Sequence, residues 1–230
     1  MIDLVVFDMA GTTIDDHGLV YVALEQSVIE AGAAVQPVDL QKWMGTDKVR
    51  AITALLQLGA IEATDEVVAS VFGQFRQILA EAYALHPPVA LAGVELTLRE
   101  LRRRGIKTSL STGFSDDVAE PLLASLGWTI GEGSDHLLDA VVTTSDVAAG
   151  RPAPYLIHRA MERTGVTDVR RVLAAGDTIV DVQAARNAGV ISVGVLTGGL
   201  SRLDFDGQPN DYVLESVVDV LDLPEVGGTN

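Results

Sequence analysis

The chain has 230 residues, of which 48% are hydrophobic, so it can bury a core large enough for one large domain or for a core with an insertion. Its formal net charge is −16. Nucleic acids and anionic membranes bind mainly through basic patches, and the strong negative charge therefore excludes them as partners. The chain has no cysteine, so any metal ion must be bound by oxygen or histidine ligands.

Short apolar runs typical of buried strands recur along the chain. They lie at residues 4–7, 107–111, 140–143, 172–175 and 190–196, with helical patterns between most of them. Alternating strands and helices predict an α/β fold with a Rossmann-like parallel sheet.

A helical insertion interrupts this alternation. Residues 19–31, 48–58 and 66–84 have helical patterns without a convincing strand between them. We therefore predict an inserted helical domain at residues 16–90 and a core formed by residues 1–15 and 91–230. The two short crossings, at residues 15–18 and 86–88, are candidate hinges.

Four polar loops lie where a parallel sheet places its site, beyond the carboxyl ends of the strands. They are Asp8-Met9-Ala10-Gly11-Thr12, Ser111-Thr112-Gly113, Gly150-Arg151-Pro152-Ala153-Pro154, and Gly176-Asp177-Thr178 with Asp181. We expect the second loop to open a helix and to hold an anion at its positive end. We expect the prolines of the third loop to occupy a first helical turn, with the arginine beside it.

Each polar residue also has a simpler interpretation. Asp177 or Asp181 alone is typical of a helix cap, Ser111 and Thr112 are typical of a turn, and Arg151 alone is typical of a solvated surface. The ordered combination of a carboxylate, hydroxyls, a cation and paired acids favours a site that handles a phosphoryl group.

These motifs resemble the haloacid dehalogenase superfamily over nearly the whole chain. Ala10 stands where most members have a second aspartate, and Arg151 stands where most have lysine. Both features resemble those of the phosphonatase-like branch, which includes phosphonoacetaldehyde hydrolase. The segment Arg186-Asn187-Ala188-Gly189 also resembles that branch. The helical insertion resembles the cap domain of the family, which closes over the site.

The resemblance implies covalent catalysis that depends on Mg²⁺. Asp8 would attack phosphorus and form an aspartyl-phosphate. The carboxylates of Asp8 and Asp177 and the backbone carbonyl of Ala10 would bind Mg²⁺. The remaining catalytic groups would be Arg151, which balances charge, and Asp181, which orients water or a ligand, and the phosphoryl group would be bound by Thr12, Ser111, Thr112 and Gly113.

Ala10 removes the acid that would protonate an alkoxide leaving group, a loss of about 10²–10⁴ in rate. Cleavage of a C–P bond needs an electron sink instead. In the resembling hydrolases a cap lysine forms a Schiff base with the substrate aldehyde. Of the three lysines, Lys42, Lys48 and Lys107, Lys48 lies at the matching distance from Met44-Gly45.

Two interpretations of Lys48 remain open at this point. In the family, several further residues, including a histidine, precede the Val-Arg-Ala stretch, whereas Val49-Arg50-Ala51 follows Lys48 at once here. An alignment on that stretch would place Lys48 at the histidine. Lys48 would then be a lysine on the helix surface, paired with Asp47 or another acid.

The sequence thus predicts a Mg²⁺-dependent hydrolase that cleaves the C–P bond of a small phosphonate. One alternative is a phosphomonoesterase that acts on a small phosphorylated metabolite, with His17 or a cap residue replacing the missing acid. Another is a non-catalytic scaffold that binds phosphate. The N-terminus lacks the pattern of a signal peptide, so we expect a cytoplasmic protein. The oligomeric state stays open, and a homodimer is one option.

Overall fold

The computed structural model describes residues 1–133 and 135–227. Its eight strands, in chain order, are β1 (Leu4–Asp8), β2 (Ile14–Asp15), β3 (Val89–Ala90), β4 (Lys107–Ser111), β5 (Ala140–Val142), β6 (Val172–Gly176), β7 (Ile191–Val195) and β8 (Tyr212–Leu214). Six of them form a parallel sheet in the order β5-β4-β1-β6-β7-β8, while β2 and β3 form a separate antiparallel pair.

The described residues also form eight α-helices. They are α1 (Leu19–Glu30), α2 (Pro37–Gln41), α3 (Lys48–Leu58), α4 (Asp65–Leu85), α5 (Val94–Arg103), α6 (Asp116–Ser125), α7 (Tyr155–Thr164) and α8 (Ile179–Ala188). Within the described residues, no helix is both long enough and apolar enough to cross a membrane.

The central strand β1 is buried on both faces. Val5 and Phe7 join the larger hydrophobic cluster, whereas Leu4 and Val6 join the smaller cluster on the opposite face, which also contains residues of α7 and α8. Successive side chains of a strand point to opposite faces, so burial on both sides requires a continuous apolar run. This explains why the sequence predicts β1 well.

The helical segment begins and ends at the antiparallel pair. Ile14 pairs with Ala90 and Asp15 pairs with Val89, so the chain leaves and re-enters the core at neighbouring positions. Helices α1, α3 and α4 pack against one another around buried side chains such as Phe75. Strand β2 ends at Asp15 and β3 ends at Ala90. The division into a core and an inserted domain at residues 16–90 stays a prediction.

The predicted α/β class with a Rossmann-like parallel sheet is confirmed. All five predicted strands are present, with bounds within two residues of the prediction. The sequence did not predict β2, β3, α2 or the edge strand β8. These elements are two to five residues long, too short for a hydrophobic period to appear.

Candidate active site

The carboxyl ends of three neighbouring strands bring the polar loops together. Asp8 is the last residue of β1, Ser111 is the last residue of β4, and Asp177 directly follows β6. Because β1 lies between β4 and β6, with Asp8 opposite Ser111 in the register, these residues are neighbours. The topology therefore assembles the predicted loops into one site.

Arg151 lies at the centre of this site and is only 4% exposed. Its Nη1 atom is 2.7 Å from Oδ1 of Asp8, and its Nε atom is 2.8 Å from Oδ1 of Asp181. Its Nη2 atom donates to the Ser111 hydroxyl at 2.8 Å and to the Ser111 carbonyl at 2.9 Å. The interpretation of Arg151 as a solvated surface cation is wrong, because carboxylates and strand ends enclose it.

The carboxylates of Asp8, Asp177 and Asp181 are buried around this single arginine. One oxygen from each lies within 4.8 Å of the other two. Burial raises the pKa of Asp8 to about 6, although the charge of Arg151 opposes the shift. Burial and then the charge of Asp8 raise the pKa of Asp177 as well. A cluster of oxygen ligands with excess negative charge fits a hard divalent cation such as Mg²⁺.

Asp181 is held from two sides. Its Oδ1 atom pairs with Arg151, while its Oδ2 atom accepts from the Thr178 backbone N–H at 3.1 Å and from the Thr178 hydroxyl. The second set of bonds forms a capping box at the start of α8. Asp181 is thus part of the cap of α8, in line with its simpler interpretation, and it also fixes the guanidinium that faces Asp8.

Thr12 is completely buried, and its hydroxyl donates to Oδ1 of Asp177 at 2.8 Å. This bond orients one of the predicted metal ligands. The phosphate-binding role predicted for Thr12 stays a prediction.

The sequence did not identify the loop after β7 as part of the site. Its Thr197 hydroxyl donates to the Gly11 carbonyl at 2.6 Å. A Cβ atom at Gly198 would lie 2.0 Å from Oδ2 of Asp177, so only glycine fits against that carboxylate. A signal was present, since Thr197-Gly198-Gly199 follows a buried strand just as the other site loops do.

The expected helix start at Ser111-Thr112-Gly113 is wrong. Helix α6 begins at Asp116, where Ser115 and two acidic residues provide the usual N-terminal signals. The Thr112 hydroxyl instead accepts from the Phe114 backbone N–H at 3.1 Å. The prolines of the Arg151 loop likewise precede α7, which begins at Tyr155.

Lys48, the first residue of α3, is 5% exposed. Its Nζ atom donates to the Thr46 carbonyl at 3.0 Å and lies 5.7 Å and 5.6 Å from the ring centroids of Tyr21 and Phe114. Burial lowers the pKa of Lys48 to about 8, against the opposing charge of Asp8. The surface interpretation of this lysine is therefore wrong.

The residues just before Lys48 pack onto the core loops. The Gly45 N–H donates to the Tyr21 hydroxyl at 3.3 Å, and the Gly45 carbonyl accepts from Arg151 at 3.4 Å. A Cβ atom at Gly45 would lie 2.4 Å from the Thr178 hydroxyl oxygen, and one at Gly113 would lie 2.6 Å from the Thr46 carbonyl oxygen. The segment thus connects Lys48 to the Arg151 that contacts Asp8.

His17 lies at the crossing between the two predicted domains. Its side chain is 42% exposed, and its Nδ1 atom lies 3.4 Å from the Asp15 carboxylate. The neighbouring Asp16 is buried and accepts from the Gly18 and Val20 backbone N–H groups. The role of His17 as a replacement for the missing acid stays a prediction.

A comparison with protein families agrees with the site and the fold. A model of the haloacid dehalogenase-like hydrolases matches residues 2–189. The chain belongs to this family. The resemblance noted from Asp8, Ala10 and Arg151 is thereby confirmed, and the chain is a hydrolase rather than a non-catalytic scaffold.

Curated relatives of this haloacid dehalogenase-like hydrolase include phosphonoacetaldehyde hydrolases. That of Lysinibacillus sphaericus (strain C3-41) is 33% identical over 220 residues, which cover 89% of this chain and 80% of the relative. That of Bacillus cereus is 30% identical over 210 residues, covering 86% and 76%. The similarity extends over nearly the whole chain and places it near the phosphonatase-like branch.

Solved structures share the fold of this haloacid dehalogenase-like hydrolase. A hydrolase from Pseudomonas syringae has a TM-score of 0.83 and 24% identity, with 96% of each chain covered. A phosphonoacetaldehyde hydrolase-like protein from Oleispira antarctica has a TM-score of 0.78 and 22% identity, with 100% of this chain and 95% of that chain covered.

Proposed function

We propose that this hydrolase cleaves the C–P bond of a small phosphonate aldehyde such as phosphonoacetaldehyde, with Mg²⁺ as cofactor. The observation that carries the proposal is a buried amine, Lys48, whose preceding segment contacts Arg151, the partner of Asp8. The loop that begins with Asp8 has Ala10 in place of an acid. The relatives named phosphonoacetaldehyde hydrolase, at 33% and 30% identity, support the same reaction.

Asp8 is the proposed nucleophile. Its carboxylate would attack phosphorus, form an aspartyl-phosphate and release the carbon fragment. Arg151, which already pairs with Asp8, would balance the charge of the transferring group together with the Thr112 hydroxyl and the Gly113 amide. Water would then hydrolyse the aspartyl-phosphate, and Asp181 would keep Arg151 in place.

Asp8, Asp177 and the Ala10 carbonyl would hold Mg²⁺. When bound, the ion supplies positive charge that offsets the repulsion between the anionic substrate and the buried carboxylates. The raised pKa values of Asp8 and Asp177 support this assignment, because burial and neighbouring carboxylates disfavour the charged forms, which a cation would stabilise.

Lys48 is the proposed electron sink. Its neutral amine would add to the substrate aldehyde, and loss of water would give a protonated Schiff base. When Asp8 attacks, the electron pair of the C–P bond would move onto carbon and give a neutral enamine. Protonation at carbon and hydrolysis would then release acetaldehyde and regenerate the amine. A lysine pKa of about 8 leaves part of the population neutral near physiological pH.

The test combines turnover with chemical trapping. Wild type, Lys48→Ala and the matched control Lys42→Ala, at an exposed lysine of the same helical segment, are assayed for phosphate release from phosphonoacetaldehyde and from a panel of phosphate esters. The proposal expects phosphonate turnover and borohydride inactivation in wild type and Lys42→Ala, and neither in Lys48→Ala. Turnover of esters that Lys48→Ala leaves intact would instead identify a phosphomonoesterase.

A further inference from the structure

Two aromatic rings enclose the Lys48 ammonium group. The Tyr21 ring belongs to α1, and the Phe114 ring follows β4, so the two rings approach Lys48 from different parts of the chain. Their centroids lie 5.7 Å and 5.6 Å from Nζ, within the distance at which a cation is attracted to the face of a ring. The Thr46 carbonyl, at 3.0 Å, is the hydrogen-bond acceptor of this group.

Tyr21 also reaches Lys48 through the backbone. Its hydroxyl accepts from the Gly45 N–H at 3.3 Å, and the next residue, Thr46, provides the carbonyl that Lys48 contacts. The Gly45 carbonyl accepts from Arg151 on the other side. Tyr21 therefore holds the backbone segment that fixes both the amine and, through Arg151, the surroundings of Asp8.

The charged groups that face Lys48 have opposite effects on its protonation. Burial, the largest influence on the pKa of Lys48, and the charge of Arg151 favour the neutral amine, while Asp8, Asp47 and Asp16 favour the ammonium form. Asp47 and Asp16 already accept from backbone N–H groups at the starts of α3 and α1. In the described part of the chain, no carboxylate forms an ion pair with Nζ, so the Thr46 carbonyl and the two rings are its immediate cation-stabilising neighbours.

We propose that Tyr21 and Phe114 are positioning residues that clamp Lys48, stabilise its ammonium form and aim the amine toward Asp8. The catalytic meaning of this clamp rests on the proposed Schiff-base function. A lysine that forms a Schiff base must gain and lose protons near neutral pH, and burial alone favours the neutral form. The rings would add to the stabilisation that the nearby acids provide, and they neither react nor bind metal.

The clamp can be tested by NMR titration of the lysine side chains, which requires no turnover. With three lysines in the chain, the Cε resonance of Lys48 can be assigned by its loss in Lys48→Met. The titration is run on the full chain with MgCl₂ present. Loss of either ring, in Tyr21→Leu or Phe114→Leu, is expected to lower the pKa of Lys48 by about 0.5 to 1. Tyr21→Phe keeps the ring and should retain the wild-type pKa.

Tyr212→Leu is the matched control, since Tyr212 lies in the edge strand β8. Its substitution should leave the Lys48 titration unchanged. Using two independent ring variants protects the test against a variant that fails to fold. An unchanged or raised Lys48 pKa in the folded ring variants would overturn the clamp, as would a fall in Tyr21→Phe equal to that in Tyr21→Leu.

The clamp and the proposed function can fail separately. A lowered pKa in the ring variants, together with no phosphonate turnover by wild type, would keep the clamp and reject the proposed function. Phosphonate turnover that depends on Lys48, together with unaltered titrations, would keep the function and reject the clamp.

Discussion

The guanidinium of Arg151 lies 2.7 Å from the carboxylate of Asp8, and both side chains are buried. This pair makes a buried carboxylate tolerable at the end of the central strand, because the Arg151 charge opposes the pKa rise that burial causes. It also brings a cation to the place where a phosphoryl group would meet Asp8. The stability of the fold and the proposed reaction therefore both depend on the contact between Arg151 and Asp8.

Arg151→Met is expected to destabilise the fold strongly. Without the guanidinium, Asp8 and Asp181 stay buried and uncompensated, and breaking such a buried pair costs about 3–5 kcal/mol. Urea unfolding without added metal measures the difference. The control is Arg170→Met, at an arginine whose side chain is 85% exposed and paired with Asp168, and it should unfold like wild type. Equal behaviour of the two variants would contradict the importance of the buried pair.

Lys48→Met is expected to stabilise the protein at neutral pH, by an amount that shrinks as pH rises. Burial lowers the pKa of Lys48 from 10.5 to about 8. The unfolded chain thus binds the proton more tightly, which costs the folded state about 3 kcal/mol below the folded pKa. Between about pH 8 and about pH 10 the unfolded state binds more protons than the folded state. The free energy of unfolding of the wild type therefore increases as pH rises through this interval.

The measurement for Lys48→Met is urea unfolding across this pH range. Lys42→Met, at an exposed side chain, is the matched control and should follow the wild-type curve. A difference between wild type and Lys48→Met that stays constant with pH would show that the folded protein does not depress the lysine pKa.

The site residues were predictable from sequence to different degrees. Asp8, Asp177 and Arg151 follow or precede regular elements, so the carboxyl-edge rule for parallel sheets was enough to bring them together. The burial of Lys48 could not be predicted, because it depends on rings from α1 and from the loop after β4 that are distant in sequence. Long-range packing of this kind leaves no local pattern.

Mg²⁺ is expected to stabilise the protein more at about pH 7.5 than at about pH 5. Burial raises the pKa of Asp8 to about 6 and also raises that of Asp177, so these two groups contribute most to the stability of the metal-free fold at low pH, where they are protonated. That stability is lost as pH rises through the folded pKa values, and a bound cation restores it. Thermal unfolding with and without MgCl₂ measures the effect.

The matched variants for the metal prediction are Asp177→Asn and Asp206→Asn, the second at an exposed aspartate. Asp177→Asn should lose most of the Mg²⁺-induced rise in Tm, and Asp206→Asn should keep it. Retention of the full rise in Asp177→Asn would contradict the assignment of this carboxylate as a metal ligand.

Gly45→Ala is expected to lower kcat/KM for phosphonoacetaldehyde by a factor of about 10², because the added methyl group would push the segment that carries Lys48 away from the core loops. Gly45 has a φ of +73°, and an added Cβ would lie 2.4 Å from the Thr178 hydroxyl oxygen. The control is Gly73→Ala inside α4, where a Cβ meets nothing within 4 Å. That control should be active and more stable by about 0.5–1 kcal/mol. Wild-type kinetics in Gly45→Ala would show that this close packing is not needed.

The central claim is that Lys48 is the residue that binds the substrate carbonyl. The most direct measurement is peptide mapping by mass spectrometry after incubation with phosphonoacetaldehyde, MgCl₂ and borohydride. The account predicts an N-ethyl group on Lys48, from reduction of the acetaldehyde Schiff base left after C–P cleavage, and none on Lys42 or Lys107. Phosphate release from phosphonoacetaldehyde with Lys48 unmodified, or with label distributed equally over the three lysines, would contradict it.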